Sequence, residues 1–240
     1  WLRLKSQPVK AWRPMPPGPP EIRMFLTERI QHALLAVSFI VLVWTGFALK
    51  YPEQWWALPL VVWEGSWPVR GTIHRIAAAV LMAVSLFHAF SLMVSRRLRQ
   101  HWKSLLPVKA DLYEGFAGLA YAVGLRQHKP VISAHSYVEK AEYWAVAWGT
   151  VVMGLTGVLL WANNWALKFL PKVWIDLATT IHFYEAVLAA LSILVWHLYS
   201  VVYDPDVYPL DPAFLTGVSV RRRESPAPAG KDTHQSGESA

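Results

Sequence analysis

Residues 72–94 form the apolar stretch TIHRIAAAVLMAVSLFHAFSLMV, which carries one histidine near each end, His74 and His88. As a helix rising about 1.5 Å per residue, the stretch is long enough to cross the roughly 30 Å hydrocarbon core of a bilayer. A histidine inside such a stretch is costly to place in lipid and therefore marks a candidate functional site. The stretch predicts a transmembrane helix that carries chemistry at two depths.

Three more stretches of similar length and hydrophobicity follow the same pattern, and no proline interrupts any of the four. The chain has 240 residues, of which only 16% are charged, whereas soluble domains carry about 25% charged residues. We therefore predict an all-α integral membrane four-helix bundle. Its spans are residues 30–49, 73–94, 143–161 and 177–202.

Lys and Arg are distributed unequally between the two sides of this bundle. Seventeen lie before the first span, between the second and third spans, and after the fourth, and Lys140 lies at the edge of the third span. The two short connections on the other side carry four: Lys50, Arg70, Lys168 and Lys172. The positive-inside rule then places both termini in the cytoplasm. This topology accounts for the net charge of +7, so we predict no nucleic-acid partner.

The chain divides into three parts of different composition. Residues 1–24 are rich in proline and predict an extended N-terminal segment. Residues 25–215 form the four-helix domain, in which residues 111–125 predict an amphipathic helix on the cytoplasmic surface. Residues 216–240 are polar and predict a mobile tail. The absence of Cys excludes cysteine-ligated iron–sulfur clusters and covalently attached c-type haem in this chain.

The first two spans resemble the last two, which predicts two related helical hairpins. In the first and third spans a glutamate precedes a Thr-Gly pair by 17 residues. The second and fourth spans both open with Thr-Ile-His and later carry an aromatic residue followed by His. The matching residues are Glu28 and Glu139, Thr45-Gly46 and Thr156-Gly157, His74 and His182, and His88 and His197.

Four histidines form two pairs inside the second and fourth spans. His74 and His88 are 14 residues apart, which places them on one broad face of their helix. His182 and His197 are 15 residues apart and also share a face. The two helices run in the same direction, so the first members of the pairs meet at an outer level and the second members at an inner level. Facing imidazoles at two levels suit two haem b groups with bis-histidine ligation.

A further histidine competes for the inner level. His32 lies about one turn inside the first span, where the repeat has Tyr143. Because one haem takes two axial ligands, His32 either replaces His88 as a ligand or serves a quinone headgroup by hydrogen bonding or proton transfer. Arg29 and Arg75 are candidates for pairing with haem propionates.

Glu185, one turn beyond His182, is an intramembrane carboxylate and a candidate proton carrier on the outer side. Intramembrane His and Glu also suit a transporter or proton channel, which is an alternative function, but such proteins use helices broken at mid-membrane. A membrane anchor without redox cofactors is the other alternative.

Several motifs resemble those of a known family. Arg29-Ile-Gln-His32, Thr45-Gly46 and Ile73-His74-Arg75 resemble the cytochrome b (gamma) subunits of membrane-bound formate dehydrogenases and nickel–iron hydrogenases. The branch of cytochrome b/b6-domain proteins is similar to three further stretches, Glu142-Tyr143-Trp144, Ile181-His182-Phe183-Tyr184-Glu185-Ala186 and Tyr203-Asp204-Pro205-Asp206. The paired histidines are also similar to those of the haem-binding helices in the cytochrome b of the bc complexes.

The resemblance implies an electron-transfer subunit of a quinone-linked oxidoreductase complex in the prokaryotic cytoplasmic membrane. It implies menaquinone or ubiquinone as substrate, and an outer-face partner that is an iron–sulfur protein or a multihaem c-type cytochrome. In the formate dehydrogenase type the inner ligands map to His32 and His197, whereas the bc type pairs His88 with His197. The internal repeat favours the second pairing. On that pairing, replacing His88 with Ala removes one haem and replacing His32 with Ala retains both.

Overall fold

The computed structural model describes residues 21–65, 68–127, 137–204 and 208–219, and within these ranges it is almost entirely helical. Four of the helices described are long and apolar enough to cross a membrane, and each contains one of the predicted spans. This confirms an all-α membrane bundle. In chain order the helices are α1 (Leu26–Lys50), α2 (Leu58–Val62), α3 (Val69–Val94), α4 (Arg96–Trp102), α5 (Lys109–Ala122), α6 (Tyr137–Trp161), α7 (Asn163–Ala166), α8 (Lys172–Leu191) and α9 (Ala213–Thr216).

Prolines mark the boundaries of the spanning helices. Helix α1 ends at Lys50, shortly before Pro52, and α3 and α8 begin directly after Pro68 and Pro171. Proline disfavours helical backbone in the residue before it and lacks the N–H that a continuing helix needs. Helix boundaries near these prolines follow from the sequence itself.

The fourth span continues beyond α8 as two π-helical segments, Ser192–His197 and Tyr199–Tyr203. A π-helical turn has i→i+5 hydrogen bonds and contains more residues than an α-helical turn, and such turns occur often at functional sites. The two histidines of the fourth span are 15 residues apart, whereas those of the second span are 14 apart. The wider π-helical turn accommodates this one additional residue.

The helices pack as two hairpins. Helix α1 packs along α3 and α6 packs along α8, whereas contact between the hairpins is much sparser and occurs chiefly between α3 and α6. The buried apolar side chains in the spanning helices are small, as at Ala48, Ala77 and Ala178. Direct packing therefore holds each hairpin together more than it joins the hairpins to each other.

The outer surface of the bundle is apolar. Large side chains such as Ile40, Phe90 and Leu155 are more than half exposed on the spanning helices, which is the surface that lipid covers. Four exposed tryptophans lie at the short connections, as expected of an aromatic belt at a membrane interface. They are Trp55, Trp63, Trp165 and Trp174; Trp67 lies outside the described residues.

A short strand pair joins the segments before α1 and after α9. Strand β1 (Glu21–Ile22) pairs antiparallel with β2 (Val218–Ser219). Gly217 turns the chain into β2 with φ +84°, and a Cβ there would lie 2.6 Å from the Met24 carbonyl oxygen, so only glycine fits. Residues 216–219, which the sequence assigned to the predicted tail, are thus among the described residues and include β2. The extended segment predicted before residue 21 and the tail after residue 219 lie outside the described residues.

Helix α5 lies where the sequence predicted an amphipathic surface helix. Its apolar side chains, including Leu112, Phe116 and Leu119, are mostly exposed. Asp111 ties the start of α5 to α6, since the Lys140 ammonium donates to its carboxylate at 2.7 Å. The location of α5 at the cytoplasmic surface of the membrane stays a prediction.

Candidate functional site

Two histidines from different hairpins face each other near the short connections. The ring centres of His74 on α3 and His182 on α8 lie 6.4 Å apart. We call this pair the upper tier. The structure thus brings together the two histidines that the sequence predicted to meet at the outer level.

Threonines of the internal repeat orient both upper-tier rings. The Thr45 hydroxyl lies 2.7 Å from the Val41 carbonyl oxygen and 2.9 Å from His74 Nδ1. Because the hydroxyl hydrogen goes to the carbonyl, Thr45 accepts the Nδ1–H of His74 and leaves Nε2 with a free lone pair. Thr156 holds His182 in the same way, with Nδ1 again 2.9 Å from the hydroxyl. Both rings are therefore in the tautomer that binds a metal through Nε2.

The glycines that follow these threonines leave room for the rings. A Cβ at Gly46 would lie 3.2 Å from His74 Cε1, and a Cβ at Gly157 would lie 3.3 Å from His182 Cε1. Both distances are tighter than ordinary contact, so an imidazole fixed by a metal would collide with any larger residue. The Thr-Gly repeat thus acts as a cradle for one imidazole in each hairpin.

A second pair of histidines lies closer to the opposite end of the bundle, on α1 and on the segment that follows α8. The rings of His32 on α1 and His197 in the first π-helical segment have centres 6.3 Å apart. The Glu142 carboxylate lies 3.0 Å from His197 Nδ1 and therefore accepts its N–H, which leaves Nε2 of His197 free. We call His32 and His197 the lower tier.

His88 makes a different set of contacts. Its Nδ1 lies 2.8 Å from Gln31 Oε1 and its Nε2 lies 3.2 Å from the Tyr143 hydroxyl. The Trp102 indole N–H donates to the Tyr143 oxygen at 2.8 Å. Tyr143 can then donate its own hydrogen to His88, which occupies the lone pair that a metal would need. The structure therefore brings His32, rather than His88, against His197, unlike the pairing that the repeat favoured.

These contacts are consistent with the internal repeat, because they join equivalent positions of the two hairpins. His32 and Tyr143 hold equivalent positions in the two hairpins, as do His88 and His197. The pair His32–His197 and the pair Tyr143–His88 are therefore equivalent contacts across the two hairpins. Because tyrosine replaces one histidine, only one of the two presents two imidazoles.

The candidate partners of propionates and protons are placed as follows. The Nε atom of Arg29 and the amide nitrogen of Gln31 are buried and have no hydrogen-bond acceptor among the residues that the structure describes, so both can donate to an acidic group. Arg75 lies over the Trp161 ring at 5.7 Å. Glu185 lies against Gly149, where a Cβ would approach its carboxylate to 3.0 Å.

The two tiers fit iron held in a porphyrin better than a bare metal ion. Among the residues that the structure describes, no three His, Asp or Glu side chains cluster to hold a metal ion by themselves. Two imidazoles that bind one ion from opposite sides, each at about 2 Å, have ring centres about 6 Å apart. Both tiers match this separation, and a porphyrin would supply the further nitrogen ligands that these residues do not.

The sequence did not predict the residues that orient these rings. Thr45 and Thr156 belong to the repeat, so their position could have been connected with the histidines. Gln31, Glu142 and Tyr143 also occupy repeated positions, but only the side-chain contacts reveal which histidine each one holds.

Comparison of the sequence with known proteins shows the family of this chain. Residues 23–210 match the family model described as prokaryotic cytochrome b561. The chain belongs to this family. It is also similar to the formate dehydrogenase cytochrome b556(fdo) subunit of Escherichia coli K12, with 22% identity over 76% of this chain and 79% of the relative. The same values hold for that subunit in the O6:H1 and O157:H7 strains. This prokaryotic cytochrome b561 family member is thus a membrane cytochrome b electron-transfer subunit.

Proposed function

We propose that this chain holds two haem b groups and relays electrons across the prokaryotic cytoplasmic membrane. The upper tier, His74 and His182, holds one haem near the outer face, and the lower tier, His32 and His197, holds the other near the cytoplasm. The single observation that carries the proposal is the presence of two cross-hairpin imidazole pairs with ring centres 6.4 and 6.3 Å apart.

The bound haems supply one-electron chemistry, and the protein supplies binding, orientation and an apolar surrounding. The threonine hydroxyls and the Glu142 carboxylate fix the tautomers of three of the four ligands, so each presents Nε2 without reorganisation. Arg29 and Arg75 pair with propionates, and the buried Arg29 Nε, which has no acceptor among the described residues, supports such a role for Arg29.

The sources and acceptors of the electrons lie outside this chain. Quinone, as menaquinone or ubiquinone, exchanges electrons with the haems, and a redox subunit on the outer face exchanges them at the other end. In this proposal that subunit is an iron–sulfur protein or a multihaem c-type cytochrome, and this chain, which has no Cys, supplies no cysteine ligand to either centre. The similarity to a formate dehydrogenase cytochrome subunit supports an assembly of this kind.

A spectroscopic experiment tests this function. The chain is purified in detergent, and its absorbance is compared before and after chemical reduction and then after addition of a soluble quinol analogue. We expect a b-type α band that both reductants produce. Dithionite is the chemical reductant. A spectrum without a haem band contradicts haem binding. A band that appears with dithionite but not with the quinol analogue contradicts electron exchange with quinone.

A further inference from the structure

One of the tier histidines is held by a charged group, whereas two others are held by neutral groups. In the upper tier, His74 and His182 donate their Nδ1–H to threonine hydroxyls. In the lower tier, His197 donates its Nδ1–H to the Glu142 carboxylate at 3.0 Å. The identity of this acceptor matters, because a carboxylate that accepts the distal N–H of a metal-ligating histidine raises the basicity of the ligand.

At equivalent positions of the internal repeat, one hairpin has a glutamine amide and the other has a glutamate carboxylate. Gln31 in the first hairpin and Glu142 in the second hold equivalent positions, and each bonds the second histidine of its own hairpin. The amide of Gln31 holds His88, which also bonds Tyr143, and the carboxylate of Glu142 holds His197, which faces His32. The negative charge therefore lies beside His197, a proposed ligand, and a neutral amide lies beside His88, which is outside both tiers.

The carboxylate is fixed in orientation. Its Oε2 faces His197, and its Oε1 lies 3.1 Å from the Ser200 hydroxyl, which stands one turn beyond His197. The Glu142 side chain is only 22% exposed, so water screens its charge weakly. A fixed, poorly hydrated negative charge next to a ligand interacts strongly with any change of charge on the metal.

We propose that Glu142 is a positioning residue that makes His197 a stronger electron donor and thereby lowers the reduction potential of the lower-tier haem. The inference rests on the proposed function, because it requires a haem in the lower tier. Two effects act in the same direction: the hydrogen bond increases electron donation through Nε2, and the negative charge favours the ferric over the ferrous state. The upper-tier haem, with neutral acceptors on both ligands, lacks this contribution.

A redox titration of the full chain tests the inference. The α band of the purified protein is followed against the applied potential in the unaltered chain and in Glu142→Gln and Glu142→Asp. We expect Glu142→Gln to raise one midpoint potential by an amount equal to about a tenfold change in the reduction equilibrium, about 59 mV for one electron. Glu142→Asp keeps the negative charge, and we expect a smaller shift.

Two further variants identify the haem and control for charge. His197→Ala identifies the lower-tier component as the one that disappears from the titration. Glu139→Gln makes the same chemical change on the same helix, but Glu139 pairs with Arg23 at 3.3 Å instead of a tier histidine. We expect both potentials to be unchanged in Glu139→Gln.

Three outcomes would overturn the role of Glu142. They are unchanged potentials in Glu142→Gln, an equal rise in Glu139→Gln, and loss of the lower-tier haem from Glu142→Gln, since Glu142 would then only hold the ligand in place. Absence of haem from the unaltered chain contradicts the proposed function instead.

Discussion

Thr45 and Thr156 decide which nitrogen of the upper-tier histidines is available to a metal. Each hydroxyl donates to a carbonyl of its own helix and so is left to accept the histidine Nδ1–H. The glycine that follows each threonine then allows the ring to approach the helix. The short Thr-Gly motif therefore sets both the tautomer and the position of a proposed haem ligand.

The glycines give the first prediction. In Gly46→Ala and Gly157→Ala the new methyl group lies 3.2 and 3.3 Å from Cε1 of a ligand ring. Overpacking of this kind costs about 1–3 kcal/mol, so we expect roughly tenfold weaker retention of the upper-tier haem. Haem content after purification at increasing detergent concentration measures the loss.

Gly71→Ala is the matched control, because no atom of the described part of the chain lies within 4 Å of its Cβ position in α3. Retention equal to that of the unaltered chain is expected there. Equal retention in all three glycine variants would show that the rings do not depend on the close approach.

The sequence did not predict which histidine pairs with His197 in the lower tier. The repeat identified His88 and His197 as equivalent residues, and their equivalence was interpreted as a pairing. In the structure equivalent residues occupy equivalent positions in different hairpins, and each meets a residue of the other hairpin's first helix: His197 meets His32 and His88 meets Tyr143. Spacing along one helix carries no information on such cross-hairpin contacts.

At the scale of elements, the lengths and ends of the spanning helices follow from hydrophobicity and proline positions. All four spans were predicted, and the helices differ from them mainly by an extra turn of polar or interfacial residues at the first end. The π-helical segments of the fourth span were not predicted. The residues between Ser192 and His197, ILVW, are as apolar as those of the α-helical part of the span, so hydrophobicity does not distinguish the two helix types.

A buried ion pair between α5 and α6 gives the second prediction. The Asp111 carboxylate accepts from Lys140 and from the Val108 backbone N–H, both at 2.7 Å. Removing one partner of a buried pair leaves the other uncompensated, so we expect Asp111→Asn to cost about 3 kcal/mol of stability. Thermal unfolding in detergent at neutral pH measures it. Asp176→Asn, which breaks an exposed pair with Lys172, should have almost no effect.

The same pair predicts the pH dependence of the difference. Burial alone would raise the pKa of Asp111, but the hydrogen bonds from Lys140 and Val108 outweigh it, and the pKa lies below its ordinary value of 3.8. Folding therefore favours the ionised carboxylate, whose contribution is present above pH 3.8 and is lost as the pH falls through the folded pKa. The unfolding temperatures of the unaltered chain and Asp111→Asn should converge in strong acid, and a constant difference would refute this origin.

At the scale of the whole molecule, the two hairpins meet through little direct packing. Each tier takes one histidine from each hairpin, so a group bound between the histidines also joins the hairpins. Ligands that bind only the folded state stabilise it by mass action. If the proposed haems are bound there, we expect the bundle to depend on them for cohesion as well as for electron transfer.

Depletion of haem gives the third prediction. Chain produced under haem limitation should unfold at a lower temperature, because occupation at about 1,000 times the dissociation constant contributes about 4 kcal/mol per site. Thermal unfolding in detergent before and after addition of haem measures the change. His74→Ala should recover less of the stability on haem addition than the unaltered chain does. An identical unfolding temperature with and without haem would contradict a structural role for the haems.

The haem-to-protein ratio, measured from the pyridine complex of the purified chain, tests the central claim most directly. We predict a ratio of two for the unaltered chain, and of one for His182→Ala and for His32→Ala. His88→Ala and His101→Ala, which change histidines outside both tiers, should keep a ratio of two. A ratio of zero for the unaltered chain, or of two for His32→Ala together with one for His88→Ala, would contradict the account.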